Sequence, residues 1–322
     1  MLTAKDLRGV LAIMPTPAKE GAERLDATNT VDLDETARLA ESLVHDGAGG
    51  IMALGTMGEC ATTAPSDYET YIDCLLKTVR GRIPTFVGTT ALGGHEIARR
   101  IKFIKERGAT GTLLGIPMWQ PATLDMAIKF YADVAQTFPD FPIMVYANPR
   151  AFRFPFDVDF WAQVVKKAPT VMSAKFSSKA ILRKVVEVTQ NRVNLVPPVG
   201  LAYECARLSP ESQTTCWMPS VGPQVGLALM KALAARDAQR AKAVADDIAW
   251  ANEPHHVMTG SQEIFASYNI QMEKILMEAS GYCKPGPIRP PYDVMPEDFR
   301  KAATEGGQRY AKLRDKYSKL LG

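Results

Sequence analysis

TFVGTTALGGHEIARRIKFIKERGATGTLLGI, residues 85–116, holds one complete copy of the pattern that decides the fold. Thr85–Thr89 and Thr112–Ile116 are short runs of β-branched and apolar residues, the types that suit a buried, pleated strand. Between them, His95–Arg107 sets Ile97, Ile101 and Ile104 at helical spacing with charges on the other face. The stretch therefore reads as strand, amphipathic helix, strand. Working outward, the alternation runs from residue 9 to about residue 235 and gives eight such units, with strands predicted at Gly9–Pro15, Gly50–Leu54, Thr85–Thr89, Thr112–Ile116, Ile143–Ala147, Val171–Phe176, Val193–Val196 and Thr215–Pro219. Asp34–His45 is a second clear helix of the series. Eight strands with eight helices predict an α/β fold, a closed (β/α)8 TIM barrel. An open doubly wound sheet is the alternative, but no Gly-x-Gly-x-x-Gly follows the first strand.

Three more helical stretches follow, at about 237–252, 262–279 and 297–320, the last after the Gly/Pro-rich connection Gly281–Pro291. With no flexible linker or short repeat in sight, the expected organisation is a barrel over residues 1–235 and a C-terminal helical extension over 236–322 packed on it as one structural unit. The 322 residues are 46% hydrophobic and 23% charged, enough apolar material for a large core. The net charge of +3 is spread along the chain, which argues against a nucleic-acid partner. Cysteines 60, 74, 205, 216 and 283 are odd in number and contain no Cys-x-x-Cys pair, so neither a disulfide framework nor a zinc site is expected. The charged N-terminus is no secretory signal and no apolar run reaches spanning length, so the expectation is a cytoplasmic protein with no membrane partner.

In such a barrel the chemistry sits at the C-terminal ends of the strands. Four ends carry polar residues: Gly55-Thr56-Met57-Gly58-Glu59, Tyr146-Ala-Asn148-Pro149, Ala174-Lys175-Phe176-Ser177 and Cys216-Trp217-Met-Pro-Ser220. Val171-Met-Ser-Ala-Lys175 places an amine in an apolar strand, where burial favours the neutral, nucleophilic form; the plainer reading is a lysine that snorkels to solvent. Tyr146 and Asn148, two apart, share a strand face and sit one strand from Lys175, so the phenol is a candidate proton shuttle or simply a wet-ended core residue. Gly55–Gly58 is a compact turn whose N–H groups suit a carboxylate, with the Thr56 hydroxyl as a relay to Tyr146; Glu59 reads equally as a cap of the next helix or a substrate contact. The four histidines include only the adjacent pair His255-His256, so no metal is expected. The strand-seven and strand-eight ends offer only Val199-Gly200 and Val221-Gly222, so no phosphorylated substrate is indicated. Arg309, Lys312, Arg314 and Lys316 read as a solvated face of the last helix.

Taken together, these motifs resemble the dihydrodipicolinate synthase and N-acetylneuraminate lyase family of class I pyruvate aldolases. Gly-Thr-x-Gly-Glu, then Tyr with Asn-Pro, then a lone strand lysine follow the family's order, and Gly9-Val-Leu-Ala-Ile-Met-Pro-Thr-Pro17 and Gly286–Arg289 extend the likeness over nearly the whole chain. The resemblance implies a lyase with Lys175 as Schiff-base lysine, Tyr146 as proton shuttle and Thr56 as its relay, acting on a small 2-keto acid without a cofactor, as a homo-tetramer. Three departures stand out: Met57 replaces a threonine, Pro117-Met-Trp119-Gln replaces a tyrosine pair, and Asn148 lies two residues after Tyr146. These features resemble the hydratase-aldolase branch that cleaves benzylidenepyruvates with an ortho hydroxyl or carboxylate. That implies Asn148 as holder of the hydrating water and Asn269 as a substrate contact, though Asn269 reads equally as a plain helix-surface residue. Met57, Trp119 and Trp217 around the predicted mouth suit a flat apolar substrate, with core packing the plainer reading of each tryptophan, and Ser177 is a further substrate-binding candidate. A sugar-acid or sialate lyase of the same family, whose pocket would be polar, and a non-catalytic keto-acid-binding barrel are the rival readings. Arg150 and Arg153 are open between a substrate carboxylate and solvent.

Overall fold

The computed structural model describes residues 2–209, 213–217 and 221–321, with the side chains of Trp217 and Leu321 outside that description. Strands β1 (Gly9–Met14), β2 (Gly50–Ala53), β3 (Thr85–Gly88), β4 (Gly111–Leu114), β5 (Ile143–Tyr146), β6 (Val171–Lys175), β7 (Asn194–Val196) and β8 (Thr214–Trp217) form one sheet in the order β7-β6-β5-β4-β3-β2-β1-β8. The two ends of that order meet, because Cys216 makes a parallel bridge with Pro198 and its N–H bonds the Pro197 carbonyl at 2.8 Å. A sheet whose last strand pairs beside its first leaves no open edge, so the eight strands make the ring of a (β/α)8 barrel.

The connecting helices are α1 (Leu33–His45), α2 (Pro65–Val79), α3 (Gly94–Glu106), α4 (Leu124–Thr137), α5 (Pro149–Phe152), α6 (Val158–Lys167), α7 (Leu182–Thr189), α8 (Val199–Leu208) and α9 (Gln224–Ala234). Beyond them come α10 (Ala238–Asn252), α11 (His256–Thr259), α12 (Gln262–Ser280) and α13 (Glu297–Leu321). Several helices begin at a side-chain cap: Asp32, Thr123, Asp157, Asp237 and Ser261 each accept the N–H three residues on, satisfying a donor that the first turn leaves unpaired. Every expected strand is present, although most end one or two residues sooner than hydrophobicity suggests. At β2 the reason is local, since Leu54 takes a left-handed φ of 54° and cannot continue the strand. Met218 and Pro219, within the strand expected at 215–219, lie outside the described residues.

The chain falls into two compact units, one of residues 1–11, 49–52 and 84–216, the other of residues 12–48, 53–83 and 217–322. In the first, α4 packs on α6, α6 on α7 and α7 on α8. Buried Asn194 staples the N-terminal segment there: its amide donates to the Ala4 and Leu7 carbonyls at 2.7 and 3.1 Å and its oxygen accepts from the Thr214 hydroxyl at 2.7 Å. A run of edge-to-face rings passes from Tyr131 through Phe160 to Phe156 and Phe152, ending on Tyr146.

In the second unit α12 and α13 form a hairpin, and α13 also packs on α9 and α10. Gly307 lets the hairpin close, since a Cβ there would meet the Ser280 nitrogen and the Ala279 methyl at 3.1 and 2.7 Å. The expectation that the basic residues of the last helix form a solvated face holds for Lys312 and Lys316, which are exposed, while Arg309 and Arg314 are half-buried. Arg309 bonds the Trp250 carbonyl and Glu253, Arg314 bonds the Ser280 carbonyl, and Lys316 pairs with Asp247, so their long stems reach back across neighbouring helices.

Candidate active site

The first unit carries the amine and the phenol. Parallel pairing of β5 and β6 sets Tyr146 opposite Lys175, and the Ala147 N–H continues the ladder onto the Lys175 carbonyl at 3.2 Å. This register depends on an irregularity lower in the pair: Ile143 faces Val171 but Met144 faces Ser173, so Met172 is an extra residue in β6. Without that bulge the partner of Tyr146 would be Ala174. The Lys175 nitrogen lies 4.8 Å from the centre of the Tyr146 ring, within reach of a cation–π contact when charged. Lys175 is half-buried at the strand end, and Tyr146 is buried.

Asn148 follows at the start of α5 with its amide divided between two tasks. Its Oδ1 accepts the Ala151 N–H at 3.2 Å as the helix cap, and its Nδ2 donates to the Tyr146 hydroxyl at 3.4 Å. Phe152, in the same short helix, presses edge-on against Tyr146 with ring centres 5.2 Å apart. Gly115, just past β4, makes room for that ring, because a Cβ there would run into the Phe152 ring atoms. The tyrosine is thus confined by packing on one side and by an amide at its oxygen.

Trp119 is 78% exposed, and its carbonyl accepts a bond from Arg153 Nη1 at 2.9 Å. Arg153 therefore ties the loop after β4 to the loop after α5, and Arg150 and Ser177 are exposed. Trp217 closes β8, and its side chain lies outside the described residues.

The second unit carries the turn. Leu54 and Glu59 bracket it with left-handed φ values of 54° and 55°, and Gly58 folds against Leu54 so closely that a Cβ would lie 2.8 and 2.9 Å from its backbone N and Cα. The Glu59 and Cys60 N–H groups turn back onto the Thr56 and Gly55 carbonyls at 2.9 and 3.3 Å. Two non-glycine residues in a disfavoured conformation mark a strained backbone, of the kind that gathers at functional sites. Thr56 is half-buried and Met57 is buried. Asn269 is half-buried on α12 of the same unit.

Glu59 does not cap the next helix as one reading expected, since α2 starts from Ala64. Its carboxylate is buried against Lys274 at 2.9 Å and Arg289 at 2.6 Å, and it also accepts the Arg289 N–H at 2.8 Å. Burial pulls the Lys274 amine below its ordinary pKa, and the adjacent Glu59 charge acts in the opposite sense. Sequence reasoning missed Lys274, although a signal exists: it stands four residues after Ile270 and three before Met277, on the apolar face of α12. It also missed Phe152 and Gly115, which lie apart in the sequence and meet only in the fold.

The chain is similar to named proteins over nearly its whole length. The chain is 40% identical over 324 residues to the trans-O-hydroxybenzylidenepyruvate hydratase-aldolase of Pseudomonas putida, covering 99% of this chain and 97% of the relative. It is 33% identical over 326 residues to the trans-2'-carboxybenzalpyruvate hydratase-aldolase of Nocardioides sp. (strain KP7), covering 99% and 98%. The solved structure "PhdJ bound to substrate intermediate" superposes with a TM-score of 0.93 at 32% identity, over 98% of this chain and 99% of that one. The model of the dihydrodipicolinate synthetase family matches residues 7–305, and the chain belongs to that family.

Proposed function

We propose that this chain is a Schiff-base lyase that hydrates and then cleaves an ortho-substituted benzylidenepyruvate to an aromatic aldehyde and pyruvate. The observation that carries the reading is the bulge-dependent pairing of Tyr146 with Lys175 at the ends of adjacent barrel strands, in a chain whose full-length relatives bear hydratase-aldolase names. The Lys175 amine attacks the C2 ketone and expels water to leave an iminium. Conjugated to the C3–C4 double bond, the iminium draws electrons from C4, so a water adds its oxygen there and C3 gains a proton. Asn148, whose amide keeps a second N–H beyond the one on Tyr146, orients that water. Tyr146 then takes the proton of the new C4 hydroxyl, the C3–C4 bond breaks, and its electrons pass into the iminium to give an enamine. The aldehyde departs, C3 is protonated, and hydrolysis frees pyruvate and Lys175. The backbone N–H groups of Gly55–Gly58 and the Thr56 hydroxyl hold the pyruvyl carboxylate and Thr56 also relays protons to Tyr146, with Met57, Trp119, Ser177 and Asn269 around the aryl end.

Unbridged thiols at all five cysteines support a cytoplasmic setting, and no helix among the described residues is long and apolar enough to cross a membrane. The assembly is a homo-tetramer, which would cover Leu92, exposed in the loop after β3, and Met126, exposed in the first turn of α4. Light scattering should then return four times the chain mass of 35.3 kDa, and the mass of a single chain would contradict it.

The reaction is tested with the o-hydroxy and o-carboxy substrates, following pyruvate release, and with pyruvate plus borohydride followed by peptide mass mapping. Pyruvate should form from at least one substrate, a reduced pyruvyl group should appear on Lys175 and on no other lysine, and Lys175→Ala should lose both. Labelling elsewhere, or turnover surviving in Lys175→Ala, refutes the mechanism. Trapping at Lys175 with no turnover of either substrate refutes the substrate class alone.

A further inference from the structure

The turn after β2 is held from beneath by four buried ionisable groups. Glu59, Asp67, Lys274 and Arg289 are each 1–3% exposed. Arg289 sits at the centre: Nη1 reaches Glu59 Oε2 at 2.6 Å and the Thr16 carbonyl at 3.1 Å, Nε donates to the Thr30 hydroxyl at 2.8 Å, and that hydroxyl donates to Asp67 at 2.6 Å. Lys274 donates to Glu59 and to the Pro287 carbonyl at 2.9 and 2.6 Å. Thr16, from the loop after β1, donates to the Gly58 carbonyl at 2.8 Å. Segments distant in sequence, 16–30, 58–67, 274 and 287–289, therefore converge on the two residues that end the turn.

Stability alone does not account for such a cluster. Ion pairs taken this far from water gain little over apolar residues of the same volume, because desolvation offsets most of their attraction. What they do supply is a single conformation, since each lone pair and proton has one place to go. A turn that binds an anion through backbone N–H groups and one hydroxyl, that of Thr56, has little side chain to adjust. Its affinity depends on the backbone angles themselves, and here both ends of the turn are held at φ values that an ordinary residue relaxes from when released.

We propose that Glu59, Lys274 and Arg289 form a positioning unit that sets the Gly55–Gly58 turn, and through it the affinity for the carboxylate of the keto acid. This rests on the reading above in which that turn holds the carboxylate. Lys274 belongs to α12, five residues beyond Asn269, so one helix both presents that asparagine and braces the turn. The unit acts on binding and leaves the chemistry at Lys175 and Tyr146 alone.

Lys274→Met tests it, because it removes the amine, keeps an unbranched apolar stem and leaves Glu59 paired with Arg289. KM for the benzylidenepyruvate and the half-saturating pyruvate for borohydride trapping should both rise about ten-fold, with kcat and the trapping plateau held within about three-fold. A lower melting temperature with KM unchanged overturns the proposal, since a merely structural role predicts that result. Thr56→Val, measured alongside, separates the two layers. If Thr56→Val raises KM and Lys274→Met does not, the positioning unit fails and the carboxylate turn stands; if neither does, the carboxylate reading fails with it. Should Lys274→Met not fold, Thr16→Val decides, because it deletes only the hydroxyl on the Gly58 carbonyl. A several-fold rise in KM supports the proposal, and an unchanged KM overturns it.

Discussion

Asn148 shows how one side chain divides its work. Its oxygen caps α5 while its nitrogen reaches the Tyr146 hydroxyl, so the two functions can be removed separately. Asn148→Asp keeps an acceptor for the Ala151 N–H and loses the donor to the phenol. Its stability should stay within about 0.5 kcal/mol of the parent while kcat falls at least about ten-fold. Asn148→Ala loses both and should unfold about 1 kcal/mol more easily with a similar kcat. Chemical denaturation of the two variants beside steady-state kinetics checks this, and equal kcat in Asn148→Asp and the parent would remove the amide from the reaction. Lys175 and Tyr146 were legible as a pair in a fixed order along the chain, since each alone reads as well as a snorkelling lysine or a wet-ended core tyrosine. Glu59 was misread because an acid after a turn looks like a helix cap, and only the fold brings Lys274 and Arg289 to it.

Between residues and the whole, the decisive element is the β5–β6 pair. The strands themselves follow from apolar runs of the right length, but the extra residue at Met172 that turns Lys175 toward Tyr146 leaves no mark in hydrophobicity. The short helix α5 is similar in kind. It supplies Phe152, which Gly115 admits from across the β4 loop, so the position of the Tyr146 phenol depends on the absence of a side chain in another element. Gly115→Ala should push Phe152 into Tyr146. The expected result is a loss of about 1–3 kcal/mol in stability, read by denaturation, together with a fall in kcat that exceeds any change in KM. Undiminished kcat in a variant that melts earlier would show that Phe152 yields elsewhere and leaves the phenol in place.

At the scale of the molecule, acid should weaken this protein before its carboxylates titrate. His255, between α10 and α11, is buried against Gly306 of α13, and burial pushes its pKa from 6.5 down to about 4. The unfolded chain therefore binds a proton there that the folded chain refuses. Stability from this group is fully present above pH 6.5 and is lost as pH falls toward 4, amounting to about 3 kcal/mol at most. Glu96, held down to about 2 mainly by its bond to Arg99, contributes only lower, as pH falls below the ordinary 4.5. Melting temperature against pH should thus begin to decline near pH 6.5, and His255→Leu should flatten the upper part of that decline while leaving the lower part. An identical profile in the variant would show that the histidine does not titrate in this window.

The sequence by itself determined the class of the fold, the positions of its strands and principal helices, and the family, because these depend on periodicity and on short motifs that are complete within a few residues. Lys175, Tyr146, Thr56 and Asn148 were named on the same basis. Tertiary structure alone decided the pairing register that sets Lys175 beside Tyr146, the packing of Phe152 into the space left by Gly115, and the burial of Glu59 between Lys274 and Arg289. The physical reason is common to all three: each is a contact between segments remote in sequence, and neither local propensity nor spacing records which distant side chain a strand end, a glycine or a carboxylate will meet.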